Sequence, residues 1–186
     1  SIGTSSIKLA ELQKSKNSWG LLHLGVVSLP QESIVNREIV NPVAVTESLK
    51  TLLSQMKLRG KKVCVSVSGS SVILKRMQLE VPNMKELQDQ VFWEAEQYLP
   101  FDVSEVVMDY QVLSQGKDGK VDVLLVAVKR SILETTMSCV EDAGLIPSVV
   151  DVDFFAAMVD QFIHGFEHSM TQMFLLVDMG LDQGRG

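Results

Sequence analysis

Two short glycine-containing turns, near the two ends of the 186-residue sequence, carry residue types that can bind phosphate. Gly3-Thr4-Ser5-Ser6 offers small side chains, hydroxyl groups and backbone amides, and Asp178-Met179-Gly180 follows the apolar run 173–177. Backbone amides in such turns can cradle phosphate oxygens, and glycine permits a close approach. Turns of this kind at equivalent points of two halves predict a nucleotide phosphate site, with a carboxylate to hold the metal ion.

Other arrangements that do chemistry are not indicated by the residue spacing. The first turn lacks the G-x-x-x-x-G-K pattern of a Walker loop, and taken alone it is more typical of a plain hairpin. The three histidines have no carboxylate or cysteine at metal-ligand spacing, so we expect surface histidines: His23, His164 and His168. No serine lies in a G-x-S-x-G elbow. The sequence therefore predicts neither a catalytic nucleophile nor a dedicated metal centre.

The composition excludes several classes of protein. A net charge of −6 argues against binding to nucleic acid, which needs clustered basic residues. The densest basic stretch, residues 57–62, is expected to complete a helix C-terminus. No apolar run approaches the roughly 20 residues that span a bilayer, so direct membrane insertion is not expected. The widely separated Cys64 and Cys139 predict buried free thiols in the cytoplasm, and Ser1 suggests a cut chain end.

The order of apolar patterns predicts a mixed sheet that carries an insertion. Strands are expected over 7–12, 20–29 and 61–68, with a helix that begins at Asn41-Pro42 and ends at Gly60. A crossover through that helix would place strand 61–68 parallel to an N-terminal strand. Residues 72–145 then read as a separate β-α-β-β-α unit, after which strand 148–152, helix 154–163 and strand 173–177 resume the first pattern.

Five segments, in this order, resemble the PilM family of actin-like proteins of type IV pilus assembly, relatives of the cell-division protein FtsA. They are IGTSSIKLAEL (2–12), FWEAEQYLPFDVSEVVMDYQVL (92–113), VDVLLVAVKR (121–130), AGLIPSVVDVDFFAA (143–157) and LLVDMG (175–180). The resemblance implies a mixed α/β fold in which an actin-like, ribonuclease-H-like subdomain carries an inserted β-α-β-β-α subdomain. It assigns residues 1–69 plus 146–165 to the former, 70–145 to the insertion, and 166–186 to the start of a truncated second lobe.

The resemblance also implies that ATP and Mg are ligands of full-length family members. It places Gly3, Thr4, Ser5 and Ser6 in the first phosphate loop, Asp178 and Gly180 at the start of the second, and Asp153 near the attacking water of catalytic relatives. Ser1 stands where the first loop usually has an acidic residue, and most of the second lobe is missing. We therefore expect this chain to bind ATP weakly or not at all, and not to be an enzyme.

The partner implied by the resemblance is the N-terminal tail of the inner-membrane protein PilN, held in a channel between the two subdomains. Exposed apolar groups at the junction suit such a peptide. From position alone, the predicted lining residues are Val72, Leu74, Tyr98, Pro100 and Phe101. Other pilus inner-membrane and motor components are further expected partners.

The expected function is that of a cytoplasmic scaffold, peripheral to the inner membrane through its partners. An actin-like ATPase or kinase fragment is an alternative. It predicts measurable phosphate release, and it needs a carboxylate in the first loop to hold the metal ion. An FtsA-like division tether would need a basic amphipathic helix at the C-terminus. A secretion-system adaptor of similar fold would differ in its partner.

Overall fold

A computed structural model of the chain describes residues 1–16, 18–67, 72–81, 83–116 and 119–152. Three α-helices lie within these ranges: α1 (Pro42–Gln55), α2 (Leu87–Glu96) and α3 (Arg130–Asp142). The strands are β1 (Ser6–Lys14), β2 (Trp19–Ser28), β3 (Ile34–Val35), β4 (Glu38–Ile39), β5 (Lys62–Val67), β6 (Val72–Glu80), β7 (Val106–Gln115), β8 (Lys120–Lys129) and β9 (Ile146–Val152). None of the helices in these ranges is long and apolar enough to cross a bilayer. The mixed α/β class predicted from the sequence is confirmed.

The chain divides into two units by its internal contacts. Unit 1 comprises Ser1–Gly69 and Thr135–Gly186, and unit 2 comprises Ser70–Glu134. The second division falls inside α3, earlier than the boundary after Leu145 that the sequence suggested. The physical reason is that Cys139, Val140 and Leu145 belong to the apolar core of unit 1.

The predicted N-terminal hairpin is confirmed as the antiparallel pair β1 and β2. Its alternating apolar residues place Ile7 and Leu9 on the face that packs against α1, where both are fully buried. Gly25 lies opposite Leu9, and a Cβ atom there would stand 2.7 Å from Cδ1 of Leu52 and 2.5 Å from Sδ of Met56. The absence of a side chain at this position lets α1 lie close to the sheet.

The start of α1 was predicted correctly, but its predicted end was wrong. The Asn41 side chain accepts a hydrogen bond from the Ala44 amide at 3.1 Å, and Pro42 is the first helical residue. The helix ends at Gln55 because Met56 adopts an extended backbone and packs its side chain against the core of unit 1. The basic residues of 57–62 therefore lie in the connection to β5 and at its first residue, Lys62, and not on a helix terminus.

The predicted partner of strand 61–68 was also wrong. Among the described residues, β5 pairs in parallel with β9, with Val65 opposite Val150 and Val67 opposite Val152. Parallel pairing requires a long connection, and the whole of unit 2 together with α3 supplies it. The carboxyl ends of β5 and β9 consequently meet at one edge.

The β3–β4 hairpin is strained at its tip, which leads to a testable prediction about stability. Asn36 and Arg37 have positive φ values of 51° and 67°, a conformation that is unfavourable for arginine. We expect Arg37→Gly to raise the free energy of unfolding by up to about 1 kcal/mol, measured by urea denaturation. Arg37→Lys retains the strain and should leave the midpoint unchanged. A lower midpoint for the glycine variant would contradict this explanation.

Unit 2 is a three-stranded antiparallel sheet, in the order β6-β8-β7, with α2 packed on one face. Val121, Val123 and Leu125 of β8 point to α2 and are at most 1% exposed. Leu87, Val91 and Ala95 form the buried stripe of α2, whereas Met84, which precedes the helix, and Tyr98, which follows it, are exposed. The predicted hairpin between β7 and β8 is confirmed.

Candidate functional site

The turn predicted to bind phosphate is a tight hairpin at the start of unit 1. The Gly3 amide donates a hydrogen bond to the Ser6 carbonyl at 2.9 Å, and the Leu29 amide donates to the Ser5 carbonyl at 2.8 Å. The amide of Gly3 is therefore already used within the turn. Thr4 and Ser5 are exposed, and among the described residues their amides have no hydrogen-bond partner.

The described part of this turn fits a nucleotide only in part. It supplies two exposed hydroxyl groups and two amides, which can hold an anion weakly. No group of three or more His, Cys, Asp or Glu side chains that could hold a metal ion occurs in the described ranges. The other predicted nucleotide residues, Asp153, Asp178 and Gly180, lie outside the described residues.

The edge formed by the carboxyl ends of β5 and β9 carries polar groups that the sequence analysis did not single out. Ser66 lies opposite Asp151, and the Ser66 hydroxyl is buried without a hydrogen-bond partner among the described residues. Burial raises the pKa of the neighbouring Cys64 thiol, and the charge of Asp151 raises it further. Ligands of open α/β sheets generally bind at the carboxyl ends of strands, and Asp153 directly follows β9 in the sequence.

A buried carboxylate in unit 1 was missed by the sequence analysis. The side chain of Glu11 is 1% exposed, and its Oε2 lies 2.7 Å from Nδ1 of His23. Its Oε1 accepts a hydrogen bond from the Arg59 amide at 3.1 Å. His23, which was expected to be a surface histidine, is thus the partner of a buried acid. No pattern in the sequence marks this pair, because it depends on the register that places Glu11 opposite His23 in the hairpin.

The residues predicted to bind a peptide divide between two faces of unit 2. Val72 and Leu74 pair with Val128 and Val126 on the face of the sheet that points away from α2. Tyr98, Pro100 and Phe101 follow the C-terminus of α2 on the other side. Lys75, whose side chain alternates with that of Leu74, places its ammonium 4.3 Å from the centre of the Tyr98 ring. Phe101 is covered in the same way by Lys129, at 4.4 Å.

The face of the sheet away from α2 is apolar at one end and polar at the other. We call its five apolar residues, all at least partly exposed, the open face: Val72, Leu74, Val107, Leu124 and Val126. At the polar end, Asp122 accepts hydrogen bonds from Arg76 at 3.0 Å and from Ser114 at 3.1 Å. The hydrogen bond from Arg76 is the main cause that lowers the pKa of Asp122. This surface can accept apolar side chains of an extended segment.

The comparison with protein families decides to which family the chain belongs. A family model described as type IV pilus assembly protein PilM matches residues 1–184. The chain belongs to the PilM family. Among solved structures, it is similar to a chain of the PilM-PilN type IV pilus biogenesis complex, with 30% identity and a TM-score of 0.78. That match covers 88% of this chain and 49% of the other.

A second solved structure shares the fold of this PilM-family chain. It is the cytoplasmic domain of EpsL, an inner-membrane component of the type II secretion system of Vibrio cholerae, with 21% identity and a TM-score of 0.51. The match covers 78% of this chain and 51% of the EpsL domain. The chain therefore spans about half the length of the solved structures to which it is similar, and the actin-like fold class expected from the sequence is confirmed.

Proposed function

We propose that this PilM-family chain is part of a scaffold of type IV pilus assembly that binds the N-terminal tail of PilN. The observation that carries the proposal is the likeness to a chain of the PilM-PilN type IV pilus biogenesis complex, over 88% of the present chain. The scaffold lies on the cytoplasmic side of the inner membrane and is held there by its partner. It acts through binding and not as an enzyme.

Within unit 2, the open face is the surface that best suits the tail. Leu74 is 37% exposed and pairs with the apolar, partly exposed Val126 of β8, whose partner on β7 is the exposed Asp109. Covering apolar surface contributes about 25 cal/mol per Å², and the flat sheet is already formed before binding. Phe101 is the weaker candidate, because the Lys129 ammonium already lies over its ring.

A titration tests this proposal. A fluorescently labelled peptide with the sequence of the PilN tail should bind the chain saturably, as measured by anisotropy, and a scrambled peptide should not. Equal binding of both peptides, or of neither, would contradict the proposal. A secretion-system adaptor would instead select the tail of its own membrane partner over that of PilN.

Leu74→Glu should weaken binding of the tail peptide at least tenfold. A carboxylate in the open face would have to be desolvated against apolar side chains when the peptide binds. Leu113→Glu is the matched control, because Leu113 is 49% exposed on β7 and does not belong to the open face. Unchanged affinity for Leu74→Glu, together with a loss for Phe101→Ala, would move the site to the other side of unit 2.

We further propose that the chain binds Mg-ATP weakly at most. The Gly3 amide is used within its own turn, and Ser1 supplies no carboxylate beside it. Calorimetric titration with Mg-ATP should therefore give no saturable heat at concentrations near about 10 μM. A dissociation constant in the low micromolar range would contradict this.

A further inference from the structure

The outward face of α2 bears an exposed tryptophan among acidic residues. Trp93 is 66% exposed. This fraction is larger than those of Trp19 and Tyr98, the other exposed aromatic residues of the described ranges. Glu86, Asp89 and Gln90 line a shallow depression together with it. Glu96 lies one turn further along the helix, three residues after Trp93. We call these five residues the acidic face: Glu86, Asp89, Gln90, Trp93 and Glu96.

The charge of this region is not balanced within the described structure. Residues 83–105 contain six acidic side chains and one basic side chain, Lys85. Neither Asp89 nor Glu96 forms an ion pair with another described residue. An indole ring bordered by carboxylates is suited to a lysine or arginine, because the ring binds the cation over its face while the acids neutralise it. The acidic face therefore fits a partner with closely spaced basic residues.

The same chain carries a segment of that chemistry in unit 1. Within residues 57–62, which we call the basic segment, Lys57, Arg59, Lys61 and Lys62 are all exposed, and no acidic residue interrupts them. Glu11 holds the backbone of this segment through the Arg59 amide. The segment is therefore presented at a fixed place while its cationic side chains remain in solvent.

The lengths of the two surfaces agree. The acidic face runs from residue 86 to residue 96, which is about 15 Å along a helix. The basic segment consists of five residues of irregular chain and the first residue of β5, and it spans at most about 17 Å between its first and last Cα atoms. Several basic side chains of one segment can thus contact the carboxylates and the indole ring of one acidic face at the same time.

We propose that the acidic face binds the basic segment of a second copy of this chain. Each contact joins the acidic face of one copy to the basic segment of another, so association increases with protein concentration. Because the contact depends on exposed charges, it weakens with ionic strength.

Sedimentation velocity over a range of protein concentrations tests this proposal. At about 10 mM salt the weight-average sedimentation coefficient should rise with concentration, and at about 1 M salt it should stay at the monomer value. In a Trp19→Phe variant, Trp93 is the remaining tryptophan, and its emission should shift to the blue as the chain associates. A chain that remains monomeric in low salt at about 1 mM protein would overturn the proposal.

Charge reversal identifies the two surfaces. Glu86→Lys/Asp89→Lys and Lys61→Glu/Lys62→Glu should each abolish self-association, while an equimolar mixture of the two variants should restore it. Glu47→Lys/Lys50→Glu, which exchanges an exposed ion pair of α1, is the matched control and should associate normally. Circular dichroism verifies that each variant is folded. Association that persists in either reversed variant, or a mixture that stays monomeric, would overturn the proposal.

Discussion

Replacing Leu125 by alanine is expected to lower the free energy of unfolding by about 3 kcal/mol. Leu125 is 1% exposed on β8, the central strand of unit 2, and it packs in the cluster that contains Val91 and Ala95 of α2. Since strands pair with β8 on both sides and α2 covers this face, little can move to fill the cavity. The loss of free energy of unfolding should therefore lie well inside the range measured for the replacement of buried leucines by alanine.

Leu124→Ala is the matched control, because Leu124 is the preceding residue of the same strand and belongs to the open face. It is partly exposed, so its truncation should cost less than about 1 kcal/mol. Urea denaturation followed by circular dichroism measures both values. Equal destabilisation by the two substitutions would show that the two faces of the sheet have been assigned incorrectly. Binding of the tail peptide should be lost in Leu125→Ala wherever unit 2 is unfolded.

His23→Ala is expected to destabilise the chain by about 2 kcal/mol, because it leaves the buried carboxylate of Glu11 without its side-chain partner. Among the described residues, the hydrogen bond from the Arg59 amide would then be the one that remains. Gln13→Ala, at an exposed position of β1, should change stability by less than about 0.5 kcal/mol. Denaturant titration of both variants checks the difference.

A double-mutant cycle separates the pair from other effects of His23. If the 2.7 Å contact between His23 and Glu11 is the source of the stabilisation, His23→Ala should lower the free energy of unfolding much less when Glu11 is already replaced by Gln. If the losses of the two single substitutions simply add in the double variant, His23 stabilises the chain through contacts other than the one with Glu11. Glu11 also fixes the backbone of the basic segment. Glu11→Ala, which removes the acceptor of the Arg59 amide, should therefore weaken self-association.

Local sequence patterns predicted the elements well where short-range chemistry decides them. The strands β1 and β2 and the start of α1 at Asn41-Pro42 each depend on residues a few positions apart. The end of α1 was missed because Met56 leaves the helix to pack against the core of unit 1, which is a tertiary effect. Gly60, the residue chosen from sequence, lies beyond that point.

The candidate site was less predictable because it depends on register. The contact between Glu11 and His23 lies next to an irregularity in the pairing of β1 with β2, which the sequence does not mark. Leu74 and Tyr98 both belong to unit 2, yet only the position of α2 shows that they lie on opposite sides of the sheet. The parallel pairing of β5 with β9 joins segments separated by all of unit 2.

The most direct measurement of the proposed function is a nuclear magnetic resonance titration of the isotope-labelled chain with the PilN tail peptide. We expect saturable shifts of amide signals in β6 and in the facing positions of β8, centred on Leu74 and Val126, and no shifts with the scrambled peptide. Shifts confined to unit 1, or no saturable shift at all, would contradict the assignment of the open face as the binding surface for PilN.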